Sequence, residues 1–104
     1  MIKILQFIDG AFVEPASGAY FDDVDPAVGA PYALVPDGDA KDIDRAVAAA
    51  KAAFPSWSST ATAERARLLL AIADGLEREL DELARIECID NGKPIALARS
   101  GDLP

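Results

Sequence analysis

The first third of the chain alternates short apolar pieces with turn residues, a pattern typical of short β-strands. Asp9-Gly10 stands between the apolar segments 7–8 and 11–13, and both residues tolerate the positive φ of a type I′ turn. The pattern therefore predicts a hairpin at this point. Two further extended segments, 20–24 and 32–35, lie between turns that contain proline or glycine. Strands this short need helices or another chain packed against them.

Helical spacing begins after Asp39, whose side chain can cap the free N–H groups of a helix, while Asp42 favours the positive end of the helix dipole. Apolar residues then recur every three or four positions, at Ile43, Ala46, Val47, Ala50 and Phe54. We expect Pro55 to end this helix and Trp57, in the connector that follows, to point inward. Thr62 is the expected cap of a second helix.

A second helical pattern continues as far as Asn91-Gly92, with apolar positions at Leu69, Ile72, Leu76, Leu80, Leu83, Ile86 and Ile89. Unbroken, this helix would be about 43 Å long, whereas a globule of this size has a radius of gyration of roughly 13 Å. We therefore expect a break between Arg78 and Asp81, with Asp81 capping the next helix. Asn91-Gly92 supplies a left-handed stop, and Pro94 starts a last short helix that reaches Arg99.

These elements predict an α+β fold, with strands and turns over residues 1–38 and three or four helices over residues 39–99. The helices would pack through stripes of Ala and Leu. A chain of 104 residues has room for one domain at most. Alanine accounts for 21 residues, and it favours helices but gives little burial energy per residue. We therefore expect a thin core.

Charge narrows the classes of partner. The chain has 18 acidic and 10 basic side chains and a formal charge of −8. This balance argues against nucleic acid, because phosphate binding needs surplus Lys and Arg, and an anionic membrane surface would repel the chain. A hydrophobic content of 51% argues against a disordered acidic tail. The opening apolar residues stop at Asp9, too soon for a secretory leader, so we expect a cytoplasmic protein.

Candidate catalytic groups are few. The chain has no histidine, which excludes Ser-His-Asp and Cys-His catalysis, and Cys88 is the one cysteine. Cys88 could be a nucleophile, but without a histidine to activate it we favour a packing role. Lys93 could bind an anion, although solvation is the favoured interpretation. The glycines lack the spacing of a phosphate-binding loop.

Acidic side chains cluster at positions 22–25, 37–39, 77–79, 81–82 and 87–90, and these clusters allow two further interpretations. Paired carboxylates can perform general acid–base chemistry when their environments separate their pKa values, but most of these side chains lie in turns or on polar helix faces. A site for a hard cation is the better interpretation near Asp23 and Asp25, which lie beside a turn with free carbonyls. The residue pattern by itself identifies no reaction.

A resemblance to a known family suggests an activity, which the residue pattern alone does not identify. The segments 7–13, 17–18 and 25–29 resemble the N-terminal signature of the aldehyde dehydrogenase superfamily. The similarity continues through Val35-Pro36 and the segments 44–50, 53–57 and 64–69, and it closes with the sequence Asp90-Asn91-Gly92-Lys93-Pro94. The segments 54–58, 97–99 and 102–104 are similar to the branch that oxidises 2-hydroxymuconic and 2-aminomuconic semialdehydes.

The resemblance implies an enzyme in which a Cys thiolate attacks the aldehyde, hydride passes to NAD or NADP, and a Glu activates the water that releases the acid. Those residues lie beyond the region that this chain resembles, and Cys88 does not correspond to the nucleophile. The chain would form the N-terminal portion, residues 1–104, of a Rossmann-like cofactor-binding domain. We therefore assign it no catalytic or cofactor-binding residue, and we expect it to be catalytically silent alone.

The resemblance also implies a site for a monovalent cation. Many family members bind such a cation through main-chain carbonyls ahead of an Asn/Asp-Pro turn and through a carboxylate ahead of the Gly-Lys pair. The corresponding groups here are the carbonyls of Asp23 and Val24 and the side chain of Asp90. Oxygen-only ligation suits Na⁺ or K⁺.

The resemblance finally implies a partner surface. In the full-length family these helices pack against the rest of the chain, so we expect an apolar face formed by Leu68, Leu69, Ile72, Leu76, Leu80, Leu83, Ile86 and Leu97. The remainder of a dehydrogenase chain would cover it, or copies of this chain would self-associate through it. The alternative function is a stand-alone helical interaction module. A small enzyme acting through acidic pairs is the third.

Overall fold

A computed structural model describes residues 1–104, and it shows short strands followed by helices. The strands are Ile2–Lys3 (β1), Gln6–Ile8 (β2), Ala11–Val13 (β3), Tyr20–Asp25 (β4) and Ala30–Pro36 (β5). The helices are Ala40–Ser59 (α1), Thr62–Arg78 (α2), Leu80–Asn91 (α3) and Ile95–Leu97 (α4), followed by a π-helical turn at Ala98–Asp102. The predicted α+β class is confirmed.

The predicted hairpin is present. β2 and β3 pair antiparallel with Ile8 opposite Ala11, and the two turn residues have φ of 54° at Asp9 and 76° at Gly10. Both values are positive, as a type I′ turn requires. Across the hairpin the rings of Phe7 and Phe12 lie 5.2 Å apart. The hairpin thus follows from two residues that accept a left-handed backbone.

The other sheet has the strand order β1-β5-β4. The sequence pattern predicted β4 and β5 but not β1, which pairs in parallel with β5, with Ile2 opposite Ala33. Parallel pairing joins residues far apart in sequence, so no local turn signal announces it. At the turn between β4 and β5, the backbone N–H of Ala27 donates to Oδ1 of Asp25 at 2.8 Å.

The first helix begins where Asp39 predicted, but it does not end at Pro55. Its N-terminus is closed by Asp39, whose Oδ1 accepts the N–H groups of Lys41 at 2.9 Å and Asp42 at 3.3 Å. Pro55 lies inside the helix, near its exposed end. A proline forfeits one backbone hydrogen bond, and near a solvated helix end water can satisfy the carbonyl it leaves free. The prediction that Trp57 points inward from a connector is also wrong, since it lies in α1 and is 41% exposed.

The predicted break between the next two helices is confirmed, although the expected caps are wrong. α2 ends at Arg78 and α3 starts at Leu80, but neither Thr62 nor Asp81 caps a helix with its side chain. Thr62 is the first residue of α2, and Asp81 instead pairs with Arg99 at 2.8 Å. The stop after α3 is as predicted: Gly92 has φ of 77°, and its N–H donates to the Cys88 carbonyl at 2.8 Å.

The chain divides into two compact units. One comprises residues 1–24 and 31–59, and the other comprises residues 25–30 and 60–104. The fully buried apolar residues are alanines, Ala33 in the first unit and Ala84 and Ala98 in the second. In the first unit the alanines of α1 lie against the β2–β3 hairpin, while Ile43, Val47 and Phe54 of the predicted stripe are exposed. None of the helices combines the length and apolar content needed to cross a membrane.

Candidate functional site

An apolar cleft of about 400 Å³ lies in the second unit, beside the junction of α2 and α3. Its apolar wall consists of Leu76 from α2, Leu80 and Leu83 from α3, and Leu103 and Pro104 from the segment after the π-helical turn. Asp74 and Glu77 form the acidic part of its lining. The cleft lining therefore combines apolar side chains with two carboxylates.

The helix break creates this cleft. Glu79 leaves the helical path, with φ of −100° and ψ of 12°, and its N–H donates back to the Leu76 carbonyl at 3.2 Å. The change in direction brings Leu76 of one helix and Leu80 and Leu83 of the next to line the same space. Leu80 and Leu83 are half-buried, whereas Leu76 is 54% exposed. The sequence predicted these leucines as apolar-face residues but not the cavity between them.

Ion pairs hold the end of the chain against the cleft. Lys93 pairs with Asp102 in the π-helical turn and lies 3.7 Å from Oε1 of Glu87 in α3. The hydrogen bond to Asp102 is the main cause that raises the pKa of Lys93 above its ordinary value. The backbone N–H of Leu103 then donates to the Ala98 carbonyl at 3.2 Å. We expected Lys93 in solvent, but its side chain is half-buried and forms ion pairs with α3 and with the turn that precedes Leu103.

The apolar face is exposed apart from Leu80 and Leu83, which are half-buried. The fractional exposures are 36% for Leu68, 61% for Leu69, 60% for Ile72, 42% for Ile86 and 58% for Leu97. Leu70, which the sequence did not place on this face, is 65% exposed. Single exposed apolar residues are normal, whereas large contiguous apolar patches commonly mark interaction surfaces.

The residues proposed for the cation site lie on two elements. Asp23 and Val24 are adjacent in β4, and the Asp23 carboxylate accepts a hydrogen bond from the Tyr32 hydroxyl at 3.0 Å. Asp90 is in the last turn of α3. No cluster of three or more acidic, histidine or cysteine side chains that could hold a metal is present. The proposed donors include main-chain carbonyls, and all of them are oxygens, which fits an alkali cation.

Cys88 is half-buried in α3, and its carbonyl accepts the N–H of Gly92 that ends the helix. The sequence contains no histidine to act as its base. This placement fits the packing role that the sequence analysis favoured.

The Asp42 carboxylate has a larger structural role than the sequence indicated. Asp42 is only 3% exposed, and its two oxygens accept the backbone N–H groups of Ala16 at 2.9 Å and Asp39 at 3.0 Å. The bond from Asp39 and then that from Ala16 lower the pKa of Asp42 below its ordinary value. Asp39 and Asp42 therefore cap each other reciprocally, as Ser and Glu do in a capping box. The three-residue spacing was the signal that could have revealed this role.

Known proteins share both the sequence and the fold. The sequence model of the aldehyde dehydrogenase family matches residues 12–104. A probable aldehyde dehydrogenase of Mycobacterium tuberculosis is 47% identical over 98 residues, covering 94% of this chain and 19% of the relative. The 2-aminomuconic semialdehyde dehydrogenase of Homo sapiens is 45% identical over 104 residues, covering the whole of this chain and 21% of the relative.

A solved structure shows the same correspondence. The NAD⁺ complex of the aldehyde dehydrogenase from Bacillus cereus is 42% identical and superposes with a TM-score of 0.94. The superposition covers 97% of this chain and 21% of that one, so the chain spans about a fifth of the length of the proteins it matches. The likeness to semialdehyde dehydrogenases that the sequence suggested is confirmed by the human relative. With nearly all of its residues matched in sequence and in fold, the chain belongs to the aldehyde dehydrogenase family.

Proposed function

We propose that this chain serves as the N-terminal structural segment of an NAD(P)-dependent aldehyde dehydrogenase, an enzyme that oxidises an aldehyde to a carboxylic acid. The observation that carries the proposal is the match of the whole chain to about the N-terminal fifth of the human relative. By itself the chain is catalytically silent, since the resemblance puts the reactive Cys and the general-base Glu in the remaining part of the enzyme.

The substrate and cofactor follow from the relatives. The whole-length similarity to the 2-aminomuconic semialdehyde dehydrogenase favours an aldehyde of the semialdehyde class. The NAD⁺ complex of the Bacillus cereus enzyme favours NAD⁺ over NADP⁺. Neither ligand would be held by this chain alone. The cytoplasmic location expected from the sequence stays a prediction.

A chimaera tests the proposal directly. Residues 1–104 replace the matched segment of the human 2-aminomuconic semialdehyde dehydrogenase, and formation of reduced nicotinamide is followed with NAD⁺ and the aldehyde. We expect the chimaera to turn over within about tenfold of the parent enzyme, because 45% identity and a shared fold preserve the segment's packing. The isolated chain should form no product, and neither should the human enzyme without its segment. A soluble, folded chimaera without activity would contradict the proposal.

The monovalent-cation site is proposed on the same basis. The carbonyls of Asp23 and Val24 and the Asp90 carboxylate would bind Na⁺ or K⁺ through oxygen atoms, and the cation would stabilise the fold without entering the reaction. The support is their place in the sequence pattern shared with the family.

Self-association of the isolated chain is a second candidate function. The exposed Leu69 and Ile72 on α2 favour it, because copies could cover one another's apolar faces. The net charge of −8 opposes close approach, but at about 0.15 M salt the Debye length of about 8 Å screens much of that repulsion. Analytical ultracentrifugation tests this candidate. A sharply sized oligomer supports it, and a monomer at about 100 µM rules it out.

A further inference from the structure

We propose that Asn91 is a site of spontaneous deamidation, in which its side chain cyclises onto the backbone nitrogen of Gly92, and that the last turn of α3 controls the rate. Asn91 is the one asparagine of the chain, and it stands immediately before a glycine. Glycine has no Cβ to crowd the attacking nitrogen, so this pair is the sequence most prone to the cyclisation. Both residues are exposed at the end of α3, where water reaches them.

The reaction uses only groups of these two residues and water. The Gly92 nitrogen attacks Cγ of Asn91 and bonds to it. The Cγ–Nδ2 bond breaks, and Nδ2 takes the proton of the Gly92 N–H and leaves as ammonia. Water then opens the resulting five-membered cyclic imide, giving aspartate when the bond from nitrogen to Cγ breaks and isoaspartate when the bond from nitrogen to the main-chain carbon breaks. No atom is oxidised or reduced.

The folded end of α3 holds the reacting atoms in other bonds. The attacking Gly92 N–H donates to the Cys88 carbonyl at 2.8 Å. The Nδ2 that must leave donates to Oε1 of Glu87 at 2.7 Å, and the Oδ1 beside it accepts the N–H of Lys93 at 2.9 Å. Asn91 also has the backbone of an α-helix, whereas ring closure needs a more extended ψ. The folded turn therefore protects the amide, and the reaction proceeds when the turn opens.

Opening this turn disturbs little of the fold. The two side-chain hydrogen bonds of Asn91 are exposed, and water competes for exposed hydrogen bonds. Helix ends open locally at a free energy well below that of global unfolding. We therefore expect the native chain to deamidate about 5- to 30-fold more slowly than the unfolded chain, which is protection without complete suppression.

The products cannot restore the native helix end. Deamidation replaces the Nδ2 donor by a carboxylate oxygen that faces Oε1 of Glu87 across the former hydrogen bond. It also adds an anion at the C-terminus of α3, where the helix dipole disfavours negative charge. Isoaspartate in addition lengthens the main chain by one carbon, directly before Gly92 with its φ of 77°. The modification thus loosens the end of α3, and modified chains accumulate as the protein ages.

Incubation of the purified chain tests the proposal. The chain is kept at neutral pH, native and in urea, and intact mass and peptide mapping follow the exchange of the amide for a carboxylate. Gln6 is the only other side-chain amide in the sequence, so the product is readily located. We expect aspartate and isoaspartate at position 91, forming faster in urea by the factor given above. Asn91→Gln should suppress the reaction, because glutamine would have to close a six-membered ring.

Two variants of Glu87 form a matched pair that tests the protection. Glu87→Ala removes the acceptor of Nδ2 and should speed the reaction of the native chain about threefold. Glu87→Gln loses the same charge but keeps an oxygen acceptor, so its rate should stay close to that of the native chain. Asp39→Ala removes the cap of α1 and should leave the rate unchanged, because the reaction follows local opening.

Four results would overturn the inference. The first is the absence of product at position 91 of the native chain over many half-times of the unfolded chain. The second is an equal rate in the native and unfolded chains, which would mean that the fold gives no protection. The third is an equal rate in Glu87→Ala and Glu87→Gln, which would reject the hydrogen bond as the protecting contact. The fourth is equal acceleration by Glu87→Ala and Asp39→Ala, which would assign the reaction to global unfolding.

Discussion

The backbone N–H of Ala16 donates a hydrogen bond to Oδ1 of Asp42 at a distance of 2.9 Å, joining the loop after the hairpin to the first turn of α1. The other oxygen of the same carboxylate accepts the N–H of Asp39. One buried side chain therefore closes a helix terminus and anchors a loop 26 positions away. In its ionised form this carboxylate satisfies two backbone donors.

Stability should fall at acid pH because of Asp42. Its pKa is lower in the folded chain than its ordinary value of 3.8, chiefly through the hydrogen bond from the Asp39 backbone. The stabilisation is therefore complete above the unfolded value and is lost as pH falls through the folded value. Thermal unfolding followed by circular dichroism should show the midpoint falling below about pH 5. Asp42→Asn should flatten this dependence. The same slope in Asp42→Asn and the native chain would assign it to other carboxylates.

Replacing the helix cap should lower stability by a predictable amount. Asp39→Ala removes the oxygen that accepts two N–H groups in the first turn of α1, at a cost of about 1 kcal/mol. Asp39→Asn keeps an oxygen acceptor and should cost only a small part of that. Urea unfolding of the two variants measures the difference. If Asn were as destabilising as Ala, the effect would come from charge and not from capping.

Gly92 should not tolerate a side chain. Its φ of 77° is left-handed, and a Cβ there would lie 3.1 Å from Cγ of Pro26. Gly92→Ala should therefore destabilise the chain by about 1–2 kcal/mol. Gly101→Ala is the control, since an added Cβ there meets nothing within 4 Å. Calorimetric midpoints compare the two, and equal shifts would contradict the role of the backbone conformation.

Lys93 should hold the final turn more strongly than Arg99. Lys93→Met removes a half-buried side chain that pairs with both Asp102 and Glu87, whereas the pair between Arg99 and Asp81 is more exposed. Exposed ion pairs contribute little, because water screens them. Amide hydrogen exchange at Leu103 should accelerate clearly in Lys93→Met and only slightly in Arg99→Ala. Slow exchange in Lys93→Met would show that packing, not charge, fixes this turn.

Binding of the proposed cation should raise the thermal stability of the chimaera. Replacing choline chloride by potassium chloride or sodium chloride at equal ionic strength should raise the thermal midpoint of the chimaera, because only the folded state holds the site. Asp90→Asn should remove the response. Asp74→Asn, which changes a carboxylate on α2, should keep it. An identical response in both variants would assign the effect to general screening.

The local rules of the sequence predicted the features that depend on a few neighbouring residues. Asp9-Gly10 identified a hairpin, Asp39 a helix start and Gly92 a helix stop, because each requires only a backbone conformation or a nearby acceptor. The break between α2 and α3 was predicted because one unbroken helix would be too long for a globule of this size. Each of these features is a turn or a helix end that a few neighbouring residues determine.

The features that the sequence missed depend on distant residues. The strand Ile2–Lys3 exists because β5 accepts it as a parallel neighbour. Asp81 could not be recognised as the partner of Arg99 until the final turn was placed beside α3. The cleft was missed for the same reason, since its wall includes Leu103. The rule that proline ends a helix was wrong for Pro55 because the end of α1 is exposed.

The alanine cores have a calorimetric consequence. Heat capacity rises on unfolding in proportion to the apolar area that becomes hydrated, and a typical domain gains about 12–15 cal/mol/K per residue. Here no large side chain is fully buried, and Ala33, Ala84 and Ala98 are the apolar residues with no exposed surface. Unfolding of the isolated chain should therefore hydrate less apolar surface than unfolding of a typical domain of this length, and we expect its heat-capacity increment to fall below that range. Its stability curve should accordingly be flatter than usual, with less weakening on cooling.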